Sequence, residues 1–191
     1  MSEGGAGRRV LLFSGHMIDA PERPSPRFPA ALEPKVARAL QDQIASLGAG
    51  TTDTAISSGA CGGDLLFAEA ILGLGVPLRL YLSFDEATFL EKSVRFAGPR
   101  WVERYHAVAA RSQLFIAPDV LGPLAEGADP YERTNLWMLD EARRIGGPNV
   151  VFLCLWNGEG GDGPGGTRHM MDAVRRQTGG EVIWIDIRQF Y

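Results

Sequence analysis

Two glycine-rich stretches run straight into helix-like patterns, and turns of that kind are places where a backbone can hold an anion. The first is Ser58-Gly59-Ala60-Cys61-Gly62-Gly63-Asp64, which follows an apolar run. Free N–H groups at a helix start converge there with the positive end of the helix dipole. Glycine lets a phosphate approach with no side chain in the way. The spacing is not a Walker loop, since no Lys-Ser/Thr pair follows, and not a complete G-x-G-x-x-G. A plain strand-to-helix turn with Asp64 as its cap is the competing reading. The second stretch is Gly165-Gly166-Thr167. There Thr167 can cap the next helix while its hydroxyl or the neighbouring N–H groups meet a phosphate, and a surface loop with an ordinary cap competes.

Other reactive side chains show no familiar catalytic spacing. Ser14-Gly15-His16 lacks the glycine that precedes the serine of a nucleophile elbow, so Ser14 reads as a loop hydrogen-bonder. His16 can meet a ligand phosphate or base, or can be a solvated loop residue. The three histidines, His16, His106 and His169, stand in no metal-ligand spacing, so no metal site is expected. No cofactor is expected either. Arg100, Arg104 and Arg111 suit a solvated helix face, or one of them turns toward a phosphate. Of the four tryptophans, Trp156 is the one to watch, because it directly follows a strand.

The elements that must position these groups alternate regularly. Six apolar runs read as strands: 10–13, 54–58, 78–82, 113–117, 150–155 and 182–185. Most are continuously apolar, as strands covered on both faces are. Between them lie helical patterns, marked by Val36, Leu40 and Ile44; by Leu65, Ala68 and Ile71; by Trp101, Tyr105 and Val108; by Leu136, Leu139 and Ala142; and by Met170, Met171 and Val174. The expected fold is α/β, a Rossmann-like doubly wound and mainly parallel sheet of about six strands with helices on both faces. A closed eight-stranded barrel needs about 250 residues, more than the 191 of this chain. Residues 8–191 read as one such domain and 1–7 as a flexible tail. The stretch 19–34, with five prolines, reads as an irregular loop after the first strand. Ligands of open α/β sheets bind beyond the carboxyl ends of the strands, and both glycine-rich stretches lie there.

Composition narrows the function classes. A net charge of −4 and 22% charged residues argue against a basic surface coating nucleic acid, so no nucleic-acid partner is expected. The apolar run near the start spans only Val10 to Phe13, and nothing approaches the roughly 20 apolar residues of a membrane span. Cys61 and Cys154 read as buried thiols in a reducing compartment, and a cytoplasmic location without membrane association is expected.

The order of motifs resembles the SLOG superfamily, the Rossmann-like nucleotide-binding domains related to Smf/DprA and to the LOG phosphoribohydrolases. The likeness rests on Leu12-Phe13-Ser14-Gly15, on Ser58 to Asp64 with the segment reaching Phe84, and on Trp101 to Pro118. It implies a nucleotide or nucleotide-derived ligand. Gly59, Ala60, Gly62 and Gly63, with Cys61 and Asp64 in the same turn, would present N–H groups to its phosphate. Ser14, Gly15 and His16 would border the site. Asn135, Gly165, Gly166 and Thr167 would meet the sugar or a second phosphate. The alternative it implies is hydrolysis of the N-glycosidic bond of nucleoside monophosphates, with Arg104 positioning phosphate and Glu141 as the acid. The Pro-Gly-Gly-x-Gly-Thr-x-x-Glu loop of those enzymes is not intact here, because Pro164-Gly165-Gly166-Thr167 falls one strand later and Met170 stands in place of the glutamate. Segments of this kind also look like accessory regions of larger signalling proteins, which implies a sensor role with a signalling-protein partner. Proteins of this resemblance commonly pair through helix faces, so a homodimer is expected.

Overall fold

The computed structural model describes residues 8–159 and 166–191. Six strands form one all-parallel sheet: β1 (Val10–Gly15), β2 (Thr54–Ser57), β3 (Leu78–Leu82), β4 (Gln113–Ile116), β5 (Val150–Trp156) and β6 (Glu181–Asp186). Their spatial order is β4-β3-β2-β1-β5-β6. Seven α-helices accompany them among the described residues: α1 (Glu33–Ser46), α2 (Gly63–Gly73), α3 (Glu86–Ser93), α4 (Pro99–Ala109), α5 (Ala117–Leu121), α6 (Pro130–Gly146) and α7 (Thr167–Gln177). The α/β, doubly wound reading of the sequence matches this architecture.

Side chains of successive strand residues point to opposite faces, and β1 shows how that divides the core. Leu11 and Phe13 join the layer made with α1, α2, α3 and α4. Val10 and Leu12 join the layer made with α6 and α7. Both sets are fully buried, which is why this strand reads as a continuous apolar run. Phe13 stacks on Phe67 of α2 with ring centroids 4.6 Å apart. On the other face Tyr81 meets Trp137 of α6 edge-on at 4.7 Å. Burial on both sides is the main source of stability for such a sheet.

From β1 the chain steps outward through β2, β3 and β4, then returns to lay β5 against the other side of β1. Ser14 pairs in register with Cys154, and Gly15 with Leu155. The order reverses between β1 and β5, and in open α/β sheets the crevice outside the carboxyl ends at that switch is where ligands sit. The proline-rich loop after β1 is pinned beside it, because Asp19 accepts the main-chain N–H groups of Arg27 and Phe28 at 2.8 and 2.9 Å, and the Phe28 ring is fully buried.

Several local expectations need correction. Helix α6 begins at Pro130, six residues before Leu136, the first residue of its apolar pattern, because Asp129 caps it by accepting the Glu132 N–H and Pro130 supplies the preset helical φ. Helix α3 lies in a stretch that showed no helix by pattern; Asp85 caps it through the Thr88 N–H. Asp64 does not cap α2. Gly62 occupies that position, and Asp64 sits inside the first turn with its carboxyl folded back onto the preceding loop. Thr167 is likewise the first residue of α7, whose cap position is Gly166.

Candidate functional site

A cavity of about 320 Å³ opens at the β1–β5 switch point. Strand ends supply Ser14 and Gly15 from β1, Ser58 just past β2, Ser83 just past β3, and Trp156 from β5. Asp64 at the start of α2, Asp129, Tyr131, Thr134 and Asn135 at the start of α6, and Gly166 and Thr167 at the start of α7 close around them. The Ser14 and Thr167 hydroxyls lie 3.4 Å apart and join the end of β1 to the start of α7. Arg27 reaches the cavity from the pinned loop.

The three helix starts differ electrically. At α2 the Asp64 carboxylate already faces the positive end of the dipole, accepting the Ser58 hydroxyl at 2.5 Å and the Ala60 N–H at 3.2 Å. Burial pushes the Asp64 carboxyl up to about 6, against hydrogen bonds that hold it lower. At α6 the Asp129 carboxylate takes the Glu132 N–H at 2.7 Å, and Glu132 adds a second acid in the first turn. At α7, among the described residues, no side chain caps the helix and no acid stands in the first turn. Among the described residues its dipole thus has no negative partner of its own, and such a helix start favours an anion.

Of the residues singled out from the sequence, Ser14, Gly15, His16, Ala60, Asp64, Asn135, Gly166 and Thr167 line this one cavity. Gly59, Cys61, Gly62 and Gly63 stand behind its wall, and Gly165 lies outside the described residues. Three N–H groups of the expected phosphate cradle at the first glycine turn are already taken. The Ala60 N–H is taken by Asp64, the Cys61 N–H donates to the Ser93 carbonyl at 2.9 Å, and the Gly63 N–H to the His16 carbonyl at 3.0 Å. The glycines serve close packing instead. Met17 and Gly62 form an isolated bridge, and a Cβ on Gly62 would lie 2.4 Å from the Ile18 nitrogen.

Arg104 and Glu141 are brought neither to the cavity nor to each other. Arg104 on α4 holds Glu69 of α2 through two bonds of 2.5 and 2.6 Å, holds Glu33 of α1 at 2.8 Å, and lies over the Trp101 ring. Glu141 lies in the C-terminal half of α6 and pairs with Arg144 at 2.7 Å. The assigned pair of a phosphate arginine and an acid is thus two separate helix-face ion pairs. Arg111, in the turn after α4, donates to the Leu72 carbonyl near the end of α2.

His16 is buried, and desolvation lowers its pKa below the ordinary histidine value. Its Nε2 lies 3.2 Å from the Asn157 N–H and 3.1 Å from the Asn157 side-chain oxygen, so the ring tautomer decides which of the two it bonds. It is therefore a neutral border residue and supplies no cation to a phosphate. His169 Nε2 lies 3.4 Å from a Glu132 carboxylate oxygen, linking the starts of α7 and α6. Both cysteines are buried, and desolvation pushes each thiol up to about 12. Among the described residues no group of three or more His, Cys, Asp or Glu could hold a metal ion, and no helix is long and apolar enough to cross a membrane.

Sequence reading missed Arg27, Phe89, Ser93, Asp129, Tyr131 and Thr134, all of which line the cavity. Asp129-Pro130-Tyr131-Glu132 carried a usable signal, since a capping residue, a proline and an acid in that order mark a helix start. Arg27 and Ser93 carried none, because a loop path and a crossing helix bring them in.

No family model matches the chain, and no curated protein matches it. Among solved structures it is similar to DNA processing protein A (DprA) from Streptococcus pneumoniae, with 12% sequence identity and a TM-score of 0.38, over 93% of this chain and 58% of that one. The chain thus spans a little over half the length of that protein's chain.

Proposed function

We propose that this chain binds a nucleotide or nucleotide-derived small molecule in the β1–β5 cavity and acts as a ligand-sensing domain. The observation that carries the reading is the start of α7, a helix N-terminus with no side-chain cap and no first-turn acid among the described residues, opening on the switch-point cavity beside the Ser14 and Thr167 hydroxyls. The ligand phosphate sits there, on the N–H groups of the first turn and the two hydroxyls, with the Arg27 side chain at the same cavity. Asn135 and Thr134 of α6 and the rings of Phe89, Tyr131 and Trp156 supply polar and flat apolar contacts for the rest of the molecule. A volume of about 320 Å³ is at the low end for small-molecule sites, which favours one nucleotide unit over a dinucleotide.

Thermal-shift scans with mono-, di-, cyclic and dinucleotides test this. A ligand at a hundred times its Kd adds about 2.7 kcal/mol to the folded state, or roughly 5–10 °C for a chain of this size. Thr167→Val keeps the shape and removes one hydroxyl, so it should weaken the active ligand roughly five- to tenfold. If no nucleotide at millimolar concentration raises the melting temperature, the proposal is wrong.

A further inference from the structure

Six serine and threonine residues stand in the cavity wall among the described residues, and one hydroxyl differs from the rest. Ser14 and Thr167 face each other, Ser58 donates to Asp64, and Thr134 donates to the Pro130 carbonyl. The Ser93 oxygen is sealed within the protein. Ser83, just past β3, is only 3% exposed, yet its hydroxyl has no hydrogen-bond partner among the described residues and its oxygen is not sealed. What is accessible of Ser83 opens onto the cavity it lines. Buried hydroxyls are nearly always paired, so this one is left for whatever fills the cavity. The walls at this end are flat and apolar. Phe84, next in the chain, meets the Tyr131 ring edge-on at 5.5 Å, and Tyr131 lines the cavity with the buried ring of Phe89. In the sheet order β3 stands two strands from β1. Neighbouring strands lie about 4.8 Å apart, so Ser83 is roughly 10 Å across the sheet from Ser14 and the start of α7.

We propose that Ser83 reads the base: the nucleotide lies across the strand ends from α7 toward β3, and the Ser83 hydroxyl bonds a heteroatom on the far edge of the base, so that the site selects purine nucleotides. The inference rests on the nucleotide reading above and adds the specificity of that same site. A span of roughly 10 Å matches a purine nucleotide from its phosphate to the outer edge of its six-membered ring, and a pyrimidine falls short by one ring. A hydroxyl both donates and accepts, so it serves the amino edge of adenine and the carbonyl edge of guanine alike. Selection is therefore by reach. A base that stops short leaves the buried hydroxyl unpaired, which is what a site built around a hydrogen bond penalises.

Isothermal titration with the four ribonucleoside 5′-monophosphates, and with ribose 5-phosphate as the ligand without a base, provides the test. The better purine nucleotide should bind about tenfold or more tighter than either pyrimidine nucleotide. Ser83→Ala should weaken that purine nucleotide about five- to tenfold and leave the pyrimidine nucleotides and ribose 5-phosphate unchanged. It should also leave the melting temperature of the unliganded protein at or above the parent value, since it removes a hydroxyl with no partner. A pyrimidine nucleotide that binds as tightly as the better purine, an unchanged purine affinity in Ser83→Ala, or an equal loss for ribose 5-phosphate overturns this inference and leaves nucleotide binding standing. Absence of binding by every monophosphate also overturns it, and absence of binding by cyclic nucleotides and dinucleotides as well overturns the nucleotide reading itself.

Discussion

Asp64→Asn isolates the energetic consequence of a carboxyl buried at the start of α2. Burial raises the Asp64 pKa from 3.8 to about 6, so the folded chain holds this proton more tightly than the unfolded chain does. Below the unfolded value both states are protonated and the group costs nothing. As pH rises through the window between 3.8 and about 6, the unfolded state releases the proton first and stability falls; above about 6 the penalty is complete. A difference of about two pKa units corresponds to roughly 3 kcal/mol. Asparagine does not titrate and keeps an oxygen able to accept from Ser58 or Ala60. Urea unfolding of parent and variant at about pH 4 and about pH 8 gives the change in their stability difference, in which the other titrating groups cancel. The variant should gain about 2–3 kcal/mol on the parent between those conditions. A difference that stays constant with pH would refute the claim that Asp64 is charged at a cost in the folded protein.

Gly62→Ala places a methyl where the Ile18 nitrogen is 2.4 Å away and φ is +95°, so the loop after β1 must shift. A loss of about 3 kcal/mol or more is expected, and an unchanged melting curve would show that the turn tolerates a side chain. Arg104→Ala breaks the links to Glu69 and Glu33 and uncovers Trp101, lowering stability by about 1–3 kcal/mol. Its nucleotide affinity should equal the parent's, and loss of binding in a folded variant would return Arg104 to the site.

The sheet was legible because burial on both faces leaves an unambiguous mark: β1, β3 and β5 read as apolar runs and proved to be strands within one or two residues. The glycine turn was legible as a turn, since strand, glycines and helix follow in order. Its role was not. Whether the N–H groups of Ala60, Cys61 and Gly63 are open depends on acceptors at Asp64, Ser93 and His16, and local spacing carries no trace of those acceptors. The same limit hid Arg27 and Ser93 and misplaced Arg104. That arginine has the right residue type on a helix, but its direction is set by Glu33 and Glu69, 71 and 35 residues away.

The contact between Ser14 and Thr167 spans 153 residues of chain. It closes the molecule as a clasp closes a band, with the first strand on one half and the last helix on the other. An occupant bridging both hydroxyls would fasten that clasp, so opening either half would first require its release. Occupancy would then be reported by how long the whole chain resists unfolding or proteolysis, with no moving part needed to carry the signal.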